Sequence, residues 1–242
     1  MTAIGIYGSL GRMGQAIVAE LASFGARHAG GADAGDDPLS LARASDVLVD
    51  FSASNALPAH LEAARAAATP IVVGTTGLSA AHHAAIDEAA REIAVLQTGN
   101  TSLGVTLLSQ LVREASARLD PDWDIEIAEM HHRHKVDAPS GTALLLGAAA
   151  AEGRGTTLAE AAVQDRAGLV GARSEGTIGF ASLRGGSVIG DHAVIFAGEG
   201  ERIELIHRAD SRAIFARGAI TAALWLAKQA PGRYAMAEVL GL

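Results

Sequence analysis

Between Glu129 and Ala143 the chain reads Glu-Met-His-His-Arg-His-Lys-Val-Asp-Ala-Pro-Ser-Gly-Thr-Ala, with three histidines, an arginine and a lysine in the consecutive positions His131–Lys135. Histidine titrates near neutrality, so His131 and His132 are suited to delivering a proton at physiological pH. Lys135 supplies a positive charge for a carboxylate or for developing negative charge. Pro139 suits the first position of a helix. The amides of Ser140, Gly141 and Thr142 would then be donors to an anion, and Gly141 lets a ligand approach closely. Two anion sites this close together match a small dicarboxylate that is handed a proton. Two plainer readings compete: a solvated basic loop and a zinc site. Against zinc, adjacent histidines in an extended segment point to opposite faces, and the chain has neither an H-E-x-x-H pair nor a cysteine, so no metal is expected. His134 takes no role.

A second constellation lies at the other end of the chain. Gly8-Ser-Leu-Gly-Arg-Met-Gly14 follows a short apolar run and opens a helix-like stretch. Gly8, Gly11 and Gly14 let backbone approach a pyrophosphate, and the helix start after them offers unpaired N–H groups and a positive dipole end. The spacing is G-x-x-G-x-x-G rather than G-x-G-x-x-G, so its position after the first strand carries the reading. Asp33, about 25 residues further on, stands where a carboxylate accepts from the ribose hydroxyls of NAD. Ala34 and Gly35 put no base beside it for a 2′-phosphate, while Arg12 in the loop is able to reach one. The cofactor is therefore NADH or NADPH, with a slight preference for NADH. Gly74-Thr75-Thr76-Gly77 ends a strand at the edge where such sheets bind ligands; its two hydroxyls suit a nicotinamide carboxamide, and Phe51 and Ser52 end the preceding strand in the same way. The plain alternative is ordinary loop chemistry.

These groups must be positioned by the elements around them. Ala3–Tyr7, Arg27–Ala32, Asp46–Phe51, Pro70–Val73 and Ile93–Leu96 read as strands, separated by helical stretches at Gln15–Phe24, Leu57–Ala68 and Ser79–Glu92. Alternating strands and helices imply an α/β fold with a doubly wound parallel sheet. After about Asn100 the character changes. Leu103–Leu119 and Thr142–Ala151 read as helices, and Asp124–Met130 alternates polar and apolar residues like a half-buried strand, which His131 and His132 would directly follow. Thr177–Leu183, Ser187–Ile189, His192–Phe196 and Arg202–His207 read as closely spaced strands of a mixed, largely antiparallel sheet. Asp191, His192 and Glu199 carry no specific signal, and His207–Arg212 reads as a charged loop. A last helix, Ile214–Lys228, is expected to pack back on the first domain.

The totals set outer bounds. With 242 residues the chain fits one large or two small domains. No cysteine means no disulfide and no thiolate chemistry. A formal net charge of -8 argues against a general nucleic-acid binder. No unbroken apolar run reaches membrane-spanning length, and no leader-like segment precedes the first strand, so a soluble cytoplasmic protein without a membrane partner is expected.

Taken together, the chain resembles the 4-hydroxy-tetrahydrodipicolinate (dihydrodipicolinate) reductases of lysine and diaminopimelate biosynthesis. The resemblance is carried by Gly8–Gly14, Gly74–Gly77, Asn100-Thr-Ser-Leu-Gly-Val105, Glu129–Ala143, Arg184–His192 and His207–Ala216, in family order over nearly the whole length. The string His-His-x-x-Lys-x-Asp-Ala-Pro-Ser-Gly-Thr-Ala is its most specific part. It implies a Rossmann-like dinucleotide domain, residues 1–102 with 212–242, and an α+β domain for substrate binding and homotetramer assembly, residues 103–211. It implies NAD(P)H-dependent reduction of the cyclic dicarboxylate made from aspartate semialdehyde and pyruvate, with loss of water. His131 would donate the proton and Lys135 would stabilise developing charge, while His132, Ser140, Gly141 and Thr142 would hold carboxylates. Gly8, Arg12, Met13, Asp33, Phe51, Gly74, Thr76 and the stretch Asn100–Leu103 would surround the cofactor. The segment between Asp33 and Asp46 is shorter than in many members, and Ala34 replaces a base often found there, which weakens any inference of strong NADPH preference. A related amino-acid or semialdehyde dehydrogenase, and a non-catalytic NAD(H) sensor, are the alternatives.

Overall fold

The computed structural model describes all 242 residues, which divide by their contacts into one unit of Met1–Leu103 with Arg212–Leu242 and a second of Gly104–Ser211. The first unit begins β1 (Ala3–Tyr7), α1 (Arg12–Glu20), β2 (Arg27–Ala32), α2 (Pro38–Arg43), β3 (Val47–Asp50), α3 (Leu57–Ala66), β4 (Ile71–Val73), α4 (Ala80–Ala89) and β5 (Ala94–Gln97). Every residue of β1, β3 and β4 is buried. That is why these strands read as continuous apolar runs rather than alternating ones: helices cover both faces of a parallel sheet. A short 3-10 turn, Leu21–Phe24, ends the first helical stretch at Gly25.

The second unit is built on α5 (Leu103–Arg118), β6 (Asp124–His131), α6 (Gly141–Gly153), α7 (Leu158–Ala161), β7 (Ala162–Val163), β8 (Ile178–Arg184), β9 (Gly190–Gly198) and β10 (Glu201–Ala209). Its sheet order is β10-β9-β6-β8-β7. The antiparallel pairs β10–β9 and β9–β6 agree with the sequence reading, but β8 lies parallel to β6 and β7 parallel to β8. The sheet is mixed, with antiparallel and parallel pairings in equal number. Ser187–Ile189 is not a strand. β6 lies between β8 and β9, so the connection must pass the end of β6, and it spends those residues doing so. Strict alternation along β6 buries Ile125, Ile127, Glu129 and His131 on one face. α6 and α5 cover that face: Leu146, Ala150, Leu108 and Val112 pack with Ile127, Val194 and Phe196.

The chain then closes the first unit with α8 (Ala213–Leu226), β11 (Gly232–Tyr234) and α9 (Met236–Val239). β11 extends the parallel sheet, whose order is β11-β5-β4-β3-β1-β2. α8 buries Ala216, Ala219, Ile220, Ala223 and Leu226 against Ile4, Val49, Val72 and Leu96. The short elements α7, β7, β11 and α9 escape a periodicity search because each spans four residues or fewer.

Candidate active site

β6 supplies the centre of the second unit's site. Residues two apart on a strand share a face, so Glu129 and His131 stand side by side, and Glu129 Oε2 lies 2.6 Å from His131 Nδ1. Neighbouring strands bring the other partners. β8 runs in register beside β6 with Arg184 opposite His131, and the Arg184 guanidinium forks onto Glu129 through Nη1 to Oε2 at 2.7 Å and Nη2 to Oε1 at 2.8 Å. β9 sets His192 opposite Glu129 on the same buried face, with its ring edge-on to His131 at 5.1 Å between centroids. The Ser140 amide also donates to Glu129 Oε1, at 3.2 Å.

Glu129 is 2 % exposed. Burial alone would raise its pKa and is the largest single influence. The hydrogen bonds from Arg184, His131 and Ser182, with the charge of His131, outweigh it and hold the carboxyl down to about 2. Glu129 is thus an anion at neutral pH and can only accept. His131 must place an N–H at Nδ1, and its Nε2 is the atom left for chemistry. Nε2 faces Gly190, where a Cβ would stand 3.0 Å away. Burial first, then the charge of His131, pushes His192 down to about 4, so this ring is neutral at pH 7. Its Nε2 lies 3.0 Å from Ser140 Oγ.

The helix starts two residues later than a Pro139 first position would put it. Ser140 is the N-cap of α6, its hydroxyl accepting from the Ala143 amide at 3.2 Å, and Gly141 takes the first helical position; Pro139 lies before the cap. Ser140 is 1 % exposed, and both its amide and its hydroxyl are committed to Glu129, Ala143 and His192. It shapes the helix start instead of presenting free donors. Gly141 is exposed and Thr142 half-buried beside it. A Cβ on Gly141 would meet no protein atom within 4 Å, and its φ lies outside the left-handed region, so nothing inside the fold explains a glycine there.

Lys135 is in the loop after β6, its Nζ 2.9 Å from Asp137 Oδ1. That hydrogen bond holds the Asp137 carboxyl below its usual range. Arg184 Nη2 ties the same loop by donating to the Asp137 carbonyl at 2.6 Å, and Gly185 N donates to the His131 carbonyl at 2.9 Å. His131 belongs to β6 itself, while His132 follows the strand, its ring 6.3 Å from that of His134. Glu129, Arg184 and His192 were not assigned roles by sequence reasoning. A signal for Glu129 was present: it is a carboxylate on the apolar phase of an alternating strand.

In the first unit the glycine loop joins β1 to α1, as its position after the first strand-like run implies. The first intrahelical bond runs from Gln15 N to Gly11 O at 3.0 Å, leaving the amides of Arg12, Met13 and Gly14 ahead of it. A Cβ on Gly14 would fall 2.4 Å from the Gly8 carbonyl oxygen, so the loop folds back tightly over the helix start. Asp33 meets this loop: its Oδ2 accepts from Ser9 Oγ at 2.6 Å and from the Leu10 amide at 3.2 Å. Strand order reverses between β1 and β3, whose C-terminal ends carry Gly8 and Phe51. Ligands bind doubly wound sheets at that point. The Phe51 ring fills the space over Gly74, where a Cβ would lie 2.4 Å from Cζ. Thr76 is exposed, whereas Thr75 is buried and gives its hydroxyl to Asp50 Oδ1 at 2.9 Å. Asn100 Oδ1 accepts from the Ser102 amide at 2.8 Å, just before Leu103 opens α5. An exposed helix start, a folded-back glycine loop and a carboxylate at the next strand fit a dinucleotide.

The comparisons with known proteins agree with both halves. The model of the dihydrodipicolinate reductase N-terminus matches residues 2–101, and that of the C-terminus matches residues 104–240. A protein of Zymomonas mobilis named 4-hydroxy-tetrahydrodipicolinate reductase is 57 % identical over 99 % of this chain and 97 % of its own length. One from a Chelativorans species with the same name is 50 % identical over 98 % and 94 %. Among solved structures, the fold is similar to a dipicolinate-bound dihydrodipicolinate reductase from Paenisporosarcina, with TM-score 0.80, 24 % identity and complete coverage of both chains. A probable dehydrogenase from Thermotoga maritima shares the fold more loosely, with TM-score 0.58, 14 % identity and coverage of 86 % and 77 %. With family models on both parts of its length and relatives this similar end to end, the chain belongs to the dihydrodipicolinate reductase family.

Proposed function

We propose that the chain reduces 4-hydroxy-tetrahydrodipicolinate to tetrahydrodipicolinate, with loss of water and at the expense of NADH or NADPH. The observation that carries this reading is the buried Glu129 carboxylate, bound at once to His131, to Arg184 and to the start of α6. The first unit holds the dinucleotide through Gly8, Gly11, Arg12, Met13, Gly14, Asp33, Phe51, Gly74, Thr76 and the Asn100–Leu103 stretch, with Thr75 bracing the loop from within. When bound, a reduced nicotinamide supplies a hydride. The remaining chemistry belongs to the second unit. Glu129 accepts a hydrogen bond from His131 Nδ1 and so orients the ring, leaving Nε2 as the atom that offers a proton to the substrate. Lys135 steadies negative charge developing on the substrate. Gly141, Thr142 and His132 grip carboxylates, and Ser140, fixed by His192 and Glu129, keeps the helix start in the shape that grip needs.

Asp33 with Ala34 beyond it supports NADH as at least an equal partner to NADPH, since a ribose 2′-phosphate finds no adjacent base. We also propose a homotetramer assembled through the second unit, working in the cytoplasm. The test of the central assignment is His131→Gln. Turnover should fall about a hundredfold or more, the scale of a lost general acid, with NADH affinity unchanged. Near-normal turnover would remove His131 from the role.

A further inference from the structure

A second buried carboxylate lies in the first unit, beside Phe51 but not itself used above as a ligand contact. Asp50 ends β3 and is 0 % exposed. Four donors converge on it from three segments. Oδ1 accepts from the Ser52 amide at 2.8 Å, the Ser52 hydroxyl at 2.6 Å and the Thr75 hydroxyl at 2.9 Å. Oδ2 lies 2.8 Å from His60 Nδ1 on α3. The His60 ring is stacked on Tyr7, with centroids 3.9 Å apart and planes within 10°, and the Tyr7 hydroxyl donates to the Pro38 carbonyl at 2.9 Å. Burying a carboxylate is costly unless its lone pairs are filled, and here they are filled wholly from the two loops and the helix beyond β3 and β4. The parallel sheet does not need these bonds; Leu48, Val49, Ile71 and Val72 already bury and pair it.

We propose that Asp50 and His60 are a positioning pair that sets the spacing of the Phe51–Ser52 and Gly74–Thr76 loops, and through it the seat of the nicotinamide end of the cofactor. Both loops leave the C-terminal edge of the sheet next to the β1/β3 reversal, and Phe51 closes against Gly74 between them. One carboxylate fixes both: it is bonded to the Ser52 amide and hydroxyl on one side and to Thr75 on the other. His60 holds that carboxylate in place from α3, and the Tyr7 stack fixes the ring. The pair touches no cofactor atom in this scheme; it acts through the loops. The proposal rests on the reading of the first unit as a nicotinamide-cofactor domain.

The experiment compares NADH with ADP-ribose, which has the adenosine and pyrophosphate but no nicotinamide. Titration calorimetry gives Kd for each with the full chain. His60→Phe keeps a flat ring on Tyr7 but has no N–H for Asp50; His60→Asn places an amide N–H two bonds beyond Cβ, where Nδ1 stands. His60→Phe should weaken NADH about tenfold and leave ADP-ribose within about twofold, and His60→Asn should recover most of the loss. Equal weakening of both ligands, or none, overturns the proposal. Should His60→Phe not fold, Asp50→Asn carries the test: it is isosteric but trades charged for neutral hydrogen bonds, and should weaken NADH alone by about threefold. A wild-type chain that binds neither ligand overturns the dinucleotide reading, and the positioning pair with it; binding of both with an unselective loss overturns the pair only.

Discussion

Glu129→Gln is the perturbation whose size follows most directly from the geometry. Two carboxylate oxygens meet Arg184 Nη1 and Nη2, His131 Nδ1 and the Ser140 amide, all donors. A glutamine must turn its NH2 towards at least one of them and has no charge to offer the rest. Lowering the carboxyl from 4.5 to about 2 corresponds to about 3 kcal/mol of folding free energy. Because the folded value lies below the unfolded one, that stabilisation is complete above pH 4.5 and is lost as pH falls towards 2. At pH 3.5 about 1.4 kcal/mol of it is already gone. The two tryptophans fall in different units, Trp123 in the second and Trp225 in the first. In a Trp225→Phe background, urea unfolding followed by Trp123 fluorescence therefore reports on the unit that holds Glu129. The gap between the parent and Glu129→Gln should be about 3 kcal/mol at pH 7 and about 2 kcal/mol at pH 3.5. A gap that stays constant over this range, or is below about 1 kcal/mol at pH 7, would refute the reasoning that Arg184 and His131 hold this carboxyl ionised.

Other substitutions separate fold from ligand. Gly141→Ala should hold or raise Tm, since alanine in a helix gains about 0.5–1 kcal/mol over glycine; that is roughly 1–4 °C in a chain of this size. The same change should raise KM for the dicarboxylate about tenfold, and a falling Tm with unchanged KM would contradict the ligand-approach argument. Gly14→Ala forces Cβ against the Gly8 carbonyl and should weaken NADH and ADP-ribose alike by at least about tenfold, read by calorimetry; unaltered affinity would release the glycine loop from its assignment.

The parallel half of the fold was legible because strands buried on both faces read as unbroken apolar runs, and the glycine loop because it sits between the first of those strands and a helix. The mixed sheet was harder. Four closely spaced strand-like runs suggest a largely antiparallel sheet, yet β8 joins β6 in parallel, and the pairing that decides this spans about fifty residues of chain. The same long-range pairing hides half the site. Arg184 and His192 have no local pattern marking them; they matter because register sets them opposite His131 and Glu129. Pro139 and Ser140 show the limit of local signals. Both were read as the start of α6, but which of them caps it, and whether the Ser140 amide is spent on a buried carboxylate, depends on Glu129 eleven residues earlier.

The central claim is reduction of one particular cyclic dicarboxylate by a nicotinamide cofactor. Its most direct test is a steady-state assay on the condensation product of aspartate semialdehyde and pyruvate, following nicotinamide absorbance with NADH and with NADPH in parallel. The account predicts substrate-dependent oxidation of both, with kcat/KM for NADH at least equal to that for NADPH, and its loss in His131→Gln. Tight cofactor binding without substrate-dependent oxidation of either would contradict it.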